Sequence, residues 1–284
     1  MPTKHLDMIH QPKFWKTFLI FLFPLIITNI LQNLSGTINT IYVGQMLGVD
    51  AIAAISVFFP ILFAMMAFGS GLSTGATVLV GQAWGAQDIN KVRQIVGSTL
   101  FMTLIGGTVI AFLGVIFAKN ILALLGIDPD IMHLSLPYVQ WMLAGSPFLF
   151  IYIIYTSILR GVGDSTTPLI ASGLTIVVGL IITPVLIKGL FGFPALGIIG
   201  PAIATTCGFI SVLIFLYTYL KRKNHPLRLS GELIKNIRYQ HEISGLILKL
   251  GIPTGVQMVT NSVAALVIVG LINKYGSNAT AAYG

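Results

Sequence analysis

PLIITNILQNLSGTINTIYVGQMLG, residues Pro24 to Gly48, is apolar enough to sit in lipid, yet four side-chain amides, Asn29, Gln32, Asn33 and Asn39, lie within the span itself, with Gln45 beyond its end. On a helix at about 100° per residue, Asn29, Gln32, Asn33, Gly36, Asn39 and Thr40 fall within an arc of roughly 120°. Ile27, Ile30, Leu31, Leu34, Ile38 and Ile41 cover the opposite side. An amide placed in hydrocarbon without a partner costs about 2–7 kcal/mol. The polar stripe therefore faces other helices or a water-filled cavity, never acyl chains. Interhelical bonding, worth about 0.6 kcal/mol per contact, is the plainer reading, and cavity lining is the alternative. Asn33 and Asn39 lie deepest and are the stronger cavity candidates.

The rest of the chain repeats this apolar character. Of 284 residues 55% are hydrophobic and only 8% charged, with a mean hydropathy of +0.91. Soluble domains carry about 25% charged residues, so most of this chain has lipid for a solvent. Crossing a hydrocarbon core about 30 Å thick takes about 20 residues. Apolar runs at 15–41, 51–80, 95–117, 134–159, 167–187, 199–220 and 245–272 meet that requirement and predict an all-α bundle of seven spans. The stretch before residue 15 leads into a run too long for a cleaved leader and predicts a retained first helix.

Basic residues set the orientation. With the N-terminus in the cytoplasm, 13 of the 16 Lys and Arg fall inside: Lys4, Lys13, Lys16, Lys91, Arg93, Arg160 and the seven from Lys221 to Lys249. Lys119, Lys188 and Lys274 fall outside, the asymmetry the positive-inside rule requires. The net charge of +8 is thus a topology signal, and nucleic acid is not an expected partner. The expected location is the cell inner (plasma) membrane. Residues 221–244 form the one long polar connection, where Leu229, Leu233 and Ile237 predict one face of a short helix on the inner leaflet.

An offset of 228 residues, the distance from Asn29 to Gln257, also places Gln32 on Thr260 and Asn33 on Asn261. Gly48 falls on Gly276, and Ala51, Ala53 and Ala54 on Ala279, Ala281 and Ala282. Small and amide residues falling in step point to a duplication whose copies run parallel. The expected division is a six-helix lobe at 1–220, a linker at 221–244 and the opening of a second lobe at 245–284. About five further helices would then be required beyond Gly284. Gln257 and Asn261 are expected to face the stripe of the first helix across the interface between lobes.

Four segments taken together carry a family likeness: Pro24 to Gly48, AIAAIS from Ala51, VGQAWGAQD from Val80 to Asp88, and RGVGDSTTP from Arg160 to Pro168. The chain resembles the multidrug and toxic compound extrusion (MATE) family along its whole length. The resemblance implies an antiporter that exports organic, cationic compounds by alternating access, driven by a proton or sodium gradient, with no cofactor beyond that ion. It also implies a cation-coupling site. The family often has an Asp where this chain has Asn39, and an Asn and an Asp where it has Gly179 and Thr183. All eight acids and all five histidines fall in predicted loops or termini. Amides and hydroxyls do not titrate near neutrality, so coupling through a carboxylate of this lobe is not expected.

Other features are weaker. Tyr152 and Tyr155 in the fourth span are candidates to stack on an aromatic cation, and Tyr138 and Trp141 are interfacial anchors. Gly69, Gly71 and Gly75 form a small-residue packing stripe. Pro24, Pro60, Pro147 and Pro184 lie inside predicted spans and are expected to kink them. Arg160 and Asp164 could pair at an inner gate, but a surface pair contributes about 0–1 kcal/mol, so a structural turn is the default reading. No phosphate-binding loop, paired acid and base, nucleophile or metal-ligand set lies at membrane depth, so an enzyme is not expected. A lipid-linked saccharide flippase would need a cationic cavity, which the spans lack; a nonfunctional half-transporter is the remaining alternative.

Overall fold

The computed structural model describes residues 12–127, 129–229 and 231–273. Among these, the regular elements are helices: α1 (Pro12–Leu47), α2 (Val49–Ser56), α3 (Phe59–Gly85), α4 (Ile89–Leu124), α5 (Pro129–Ala144), α6 (Ser146–Gly161), α7 (Thr166–Lys188), α8 (Ile199–Arg222), α9 (Gly231–Lys235) and α10 (His241–Asn273), with a 3-10 turn at Leu190–Gly192. The protein is an all-α polytopic bundle with six helical spans, or seven when the bent α5–α6 pair counts as one. Large apolar side chains such as Phe23, Ile30, Phe112 and Ile181 point outward, as lipid permits and water would not.

Two of the expected spans are broken. The second divides at Val57–Phe58 into α2 and α3, and Pro60 sits in the first turn of α3. The fourth bends by 47° at Gly145, and Pro147 occupies the first turn of α6. A proline lacks the N–H that would go unbonded in a first turn anyway, so each sits at the start of the helix after the break, and at Pro147 that break is the kink expected of it. Pro24 and Pro184, by contrast, lie within continuous helices, as do Pro137 and Pro253.

α1 packs along α7 and, near its end, on α2; α10 packs along α3 and α4; α7 pairs with α8. Small residues set the α3–α10 distance. A Cβ added to Gly71 would stand 3.0 Å from the Gly251 carbonyl oxygen, and one on Gly75 would stand 3.0 Å from the Ile247 carbonyl carbon. Gly69 instead admits Phe150 of α6. Hydroxyls add bonds between helices: Thr77 donates to the Ser157 carbonyl at 3.1 Å, and Ser98 and Ser244 share a hydrogen bond of 2.9 Å.

The connection from α8 to α10 is not a helix laid flat on a leaflet. Only Gly231–Lys235 is helical, and the segment docks on the lobe through Leu227 and Leu233, both 0% exposed. Tyr155 donates to the Leu227 carbonyl at 2.8 Å, the His225 ring stacks on Trp84, and Arg93 pairs with Glu232. Leu229, expected on the same apolar face, is 39% exposed. The expected four-residue register fails because the chain is helical for too short a stretch to keep it.

Candidate functional site

The polar face of α1 divides into two environments. Asn29, Gln32, Asn33, Gly36 and Thr40 are exposed, whereas Asn39 is half-buried against α7. On the exposed strip each hydrogen bond stays within the helix. Asn29 Nδ2 donates to the Leu25 carbonyl at 3.1 Å and Asn33 Nδ2 to the Asn29 carbonyl at 2.8 Å, while Thr37 and Thr40 donate to Asn33 and Gly36. One N–H of each Asn is thus used within the helix, and the amide oxygens have no partner among the described residues. These amides do not join α1 to another described helix. What remains is an open polar face about three turns long.

Asn39 turns the other way, into a cavity of about 60 Å³ between α1, α7 and α8. Ser35, Tyr42, Thr175, Gly179, Thr183 and Thr205 share its walls. Three residues selected from sequence, Asn39, Gly179 and Thr183, are therefore brought together. Asn39 Oδ1 is buried with no hydrogen-bond partner, and Asn39 also borders a second cavity of about 180 Å³ toward α2, with Thr40, Ile52 and Ser56. Thr175 and Thr205 donate to the carbonyls of Ala171 and Pro201 within their own helices, which leaves hydroxyl lone pairs for the cavity. The space suits a water or two, or one small ion, held by neutral oxygens. No carboxylate lines it, and among the described residues no group of His, Cys, Asp and Glu is arranged to hold a metal.

Ser35, Tyr42, Thr175 and Thr205 were not selected from sequence. The signal lay in spacing: Thr175, Gly179 and Thr183 recur every four residues, as do Ser35 and Asn39, and two such stripes facing each other make a polar pocket.

Other expected site residues are elsewhere. Gln257 and Asn261 are exposed on α10, on the flank of α3 and α4, and do not face α1. The reason is the close α3–α10 approach through Gly71 and Gly251, which fixes α10 on that side. α10 and α3 enclose an open apolar groove of about 400 Å³ that ends at Val259 and Thr260. Tyr152 and Tyr155 are buried in the bundle core, not on a cavity wall. Tyr152 shares a hydrogen bond of 3.0 Å with Ser172 and stacks on Phe209, and Tyr155 is tied to Leu227. Asp164 does not pair with Arg160: it caps α7, accepting from the backbone N–H groups of Thr166 and Thr167 and from the Thr167 hydroxyl.

Comparison with known proteins agrees with this architecture. A family model described as MatE matches residues 24–185, more than half of the chain. "Probable multidrug resistance protein YoeA" of Bacillus subtilis is 39% identical over 274 residues, which is 96% of this chain and 59% of that protein. "Multidrug export protein MepA" of Staphylococcus haemolyticus is 25% identical over 284 residues, 100% of this chain and 61% of that one. The chain thus spans about three fifths of the length of these curated relatives. Among solved structures, "Crystal structure of MATE in the bent conformation" superposes with a TM-score of 0.84 at 24% identity, covering 100% of this chain and 62% of the other. A MOP superfamily transporter from Pyrococcus furiosus gives 0.83 at 22% identity, over 94% and 58%. With more than half of its sequence inside one family model and the same fold in the solved structures, the chain belongs to the MatE family of membrane transporters.

Proposed function

We propose that this chain supplies the first six-helix lobe, and the opening helix of the second, of a secondary antiporter. The whole protein exports organic, cationic compounds across the cell inner membrane by alternating access, with its N-terminus in the cytoplasm. Membership of the MatE family supports the transport reading, and the printed names of the relatives above support drugs as substrates. The observation that carries most weight is the exposed strip of Asn29, Gln32 and Asn33, whose amide nitrogens are committed to α1 itself or unpaired. The unpartnered amide oxygens on that face can accept from a cationic solute, and the absence of basic residues among them argues against a phosphate-bearing one.

We infer that the driving ion, a proton or sodium, binds in the second lobe of the whole protein. The cavity at Asn39 offers only neutral oxygens, and protons need a group that titrates near neutrality. Gly179 and Thr183 accordingly act as walls of that cavity and not as proton carriers.

The test uses a full-length transporter carrying this sequence in an exporter-deficient host. Asn33→Leu is expected to reduce efflux of a cationic dye by about tenfold or more while membrane abundance stays at the wild-type level, since one lost ion–dipole contact is worth about 1.5–3 kcal/mol. Normal efflux by an abundant Asn33→Leu protein would remove the exposed strip from the substrate path.

A further inference from the structure

At the end of α8 the chain makes a hook of positive charge that neither the transport reading nor the family assignment uses. Lys221, Arg222, Lys223 and Arg228 are all exposed, within one eight-residue stretch. Asn224 adopts the left-handed backbone region (φ 49°) and reverses the chain, and Arg228 donates back to the Asn224 side chain, which closes the loop. Lys221 Nζ lies 5.7 Å from the centre of the Tyr217 ring and Lys223 Nζ 4.6 Å from that of Tyr219, so both ammonium groups are held near the end of the helix.

These cations lack carboxylate partners. Among the described residues the one ion pair is Arg93–Glu232, on another part of the linker. Asp164 exerts a pull on Lys223, but its oxygens already accept from Thr166 and Thr167. Directly below the hook, Ile214 (60% exposed) and Tyr217 (44% exposed) share one helical stripe with Lys221. Charge above and an apolar, aromatic stem below is the profile of a molecule with an anionic head and a hydrocarbon body.

We propose that Lys221, Arg222, Lys223 and Arg228 bind the phosphate of an anionic phospholipid whose chains lie along Ile214 and Tyr217. Inside-positive sorting alone requires basic residues on that side of the membrane; it does not require a closed loop with two lysines held over rings beside an exposed apolar stripe. The assignment is independent of what solute the protein carries.

Native mass spectrometry of the detergent-purified full-length protein, titrated with phosphatidylglycerol or phosphatidylcholine, tests it. The anionic lipid is expected to bind at a lower concentration by about tenfold or more, at about fivefold per cation engaged. The combined Lys221→Gln, Arg222→Gln, Lys223→Gln and Arg228→Gln variant should bind the two lipids alike. Exchanging Lys for Arg and Arg for Lys at the same four positions keeps the charge and should keep the preference; a well-folded exchange variant that loses it overturns the site. So would an undiminished preference in the neutralised variant, or an equal loss on neutralising Lys119 and Lys188. Displacement of the lipid by millimolar inorganic phosphate would make this a free-phosphate site and overturn the lipid assignment.

Discussion

Asn39 and Asn33 sit on the same helix and meet different surroundings. Asn33 lies on an exposed strip and spends its nitrogen on its own backbone, whereas Asn39 keeps a buried, unbonded oxygen beside a small cavity lined by hydroxyls and aliphatic side chains. A carboxylic acid in that space would resist ionisation, because burial among neutral groups disfavours the charged form and raises the pKa. Asn39→Asp is therefore expected to install a group that titrates above the ordinary carboxylate range, and the pH profile of dye efflux by the full-length protein should shift from that of the natural protein. Profiles of the variant and the natural protein that overlay would show that the cavity does not communicate with transport. At this scale the sequence was informative about α1, since amides in an apolar run have few places to go. It was less informative about Ser35, Thr175 and Thr205, because small hydroxyl residues at four-residue spacing also serve ordinary packing. Tyr152 and Tyr155 were picked for their rings alone, and sequence does not show that both hydroxyls are bonded in the core.

Among elements, the α3–α10 pair is held at a distance that only glycine allows. A Cβ on Gly251 would stand 2.8 Å from the Gly71 carbonyl carbon, against backbone that has no way to yield. Gly251→Ala is expected to destabilise the full-length protein by about 1–3 kcal/mol through overpacking. Gly173→Ala, with nothing within 4 Å of the added carbon, should be neutral or slightly stabilising. Thermal unfolding of both variants in detergent checks this, and equal melting temperatures would show that the helices separate freely. The Gly71 and Gly75 stripe was legible as a packing surface, although its partner was not, because the spacing of one helix does not name its neighbour. The bend at Gly145 was legible from Pro147 two residues on, although its 47° size was not, because a proline marks where a helix can break and not how far it turns.

Across the whole molecule, the docked linker ties one end of the bundle together. His225 Nδ1 accepts the Leu227 N–H at 3.2 Å, which requires an unprotonated nitrogen, and burial holds the imidazole below its ordinary value of 6.5. Asp164 opposes that shift and Lys223 adds to it. A folded-state value below the unfolded one means that the docked form binds fewer protons, so docking is strongest above about pH 6.5 and weakens as pH falls toward the depressed value. Amide exchange at Leu227 and Leu233 is accordingly expected to quicken on mild acidification. His225→Phe keeps the stacking on Trp84 but should abolish this dependence, and an unchanged acid response in that variant would place the titrating group elsewhere. From sequence the linker was recognisable by its polarity, and Leu233 was correctly placed on an apolar face. That the face meets protein instead of lipid was not readable, since both reward the same leucine.

The glycine contact between α3 and α10 has a mechanical consequence. The 228-residue offset reads α10 as the start of a second copy, yet by backbone contact α10 is fastened to the helices before it. If the two halves of the complete protein rock against each other, the seam of motion lies after α10 and not at the linker that separates the copies. The ancestral gene boundary and the boundary between rigid parts would then fall one helix apart.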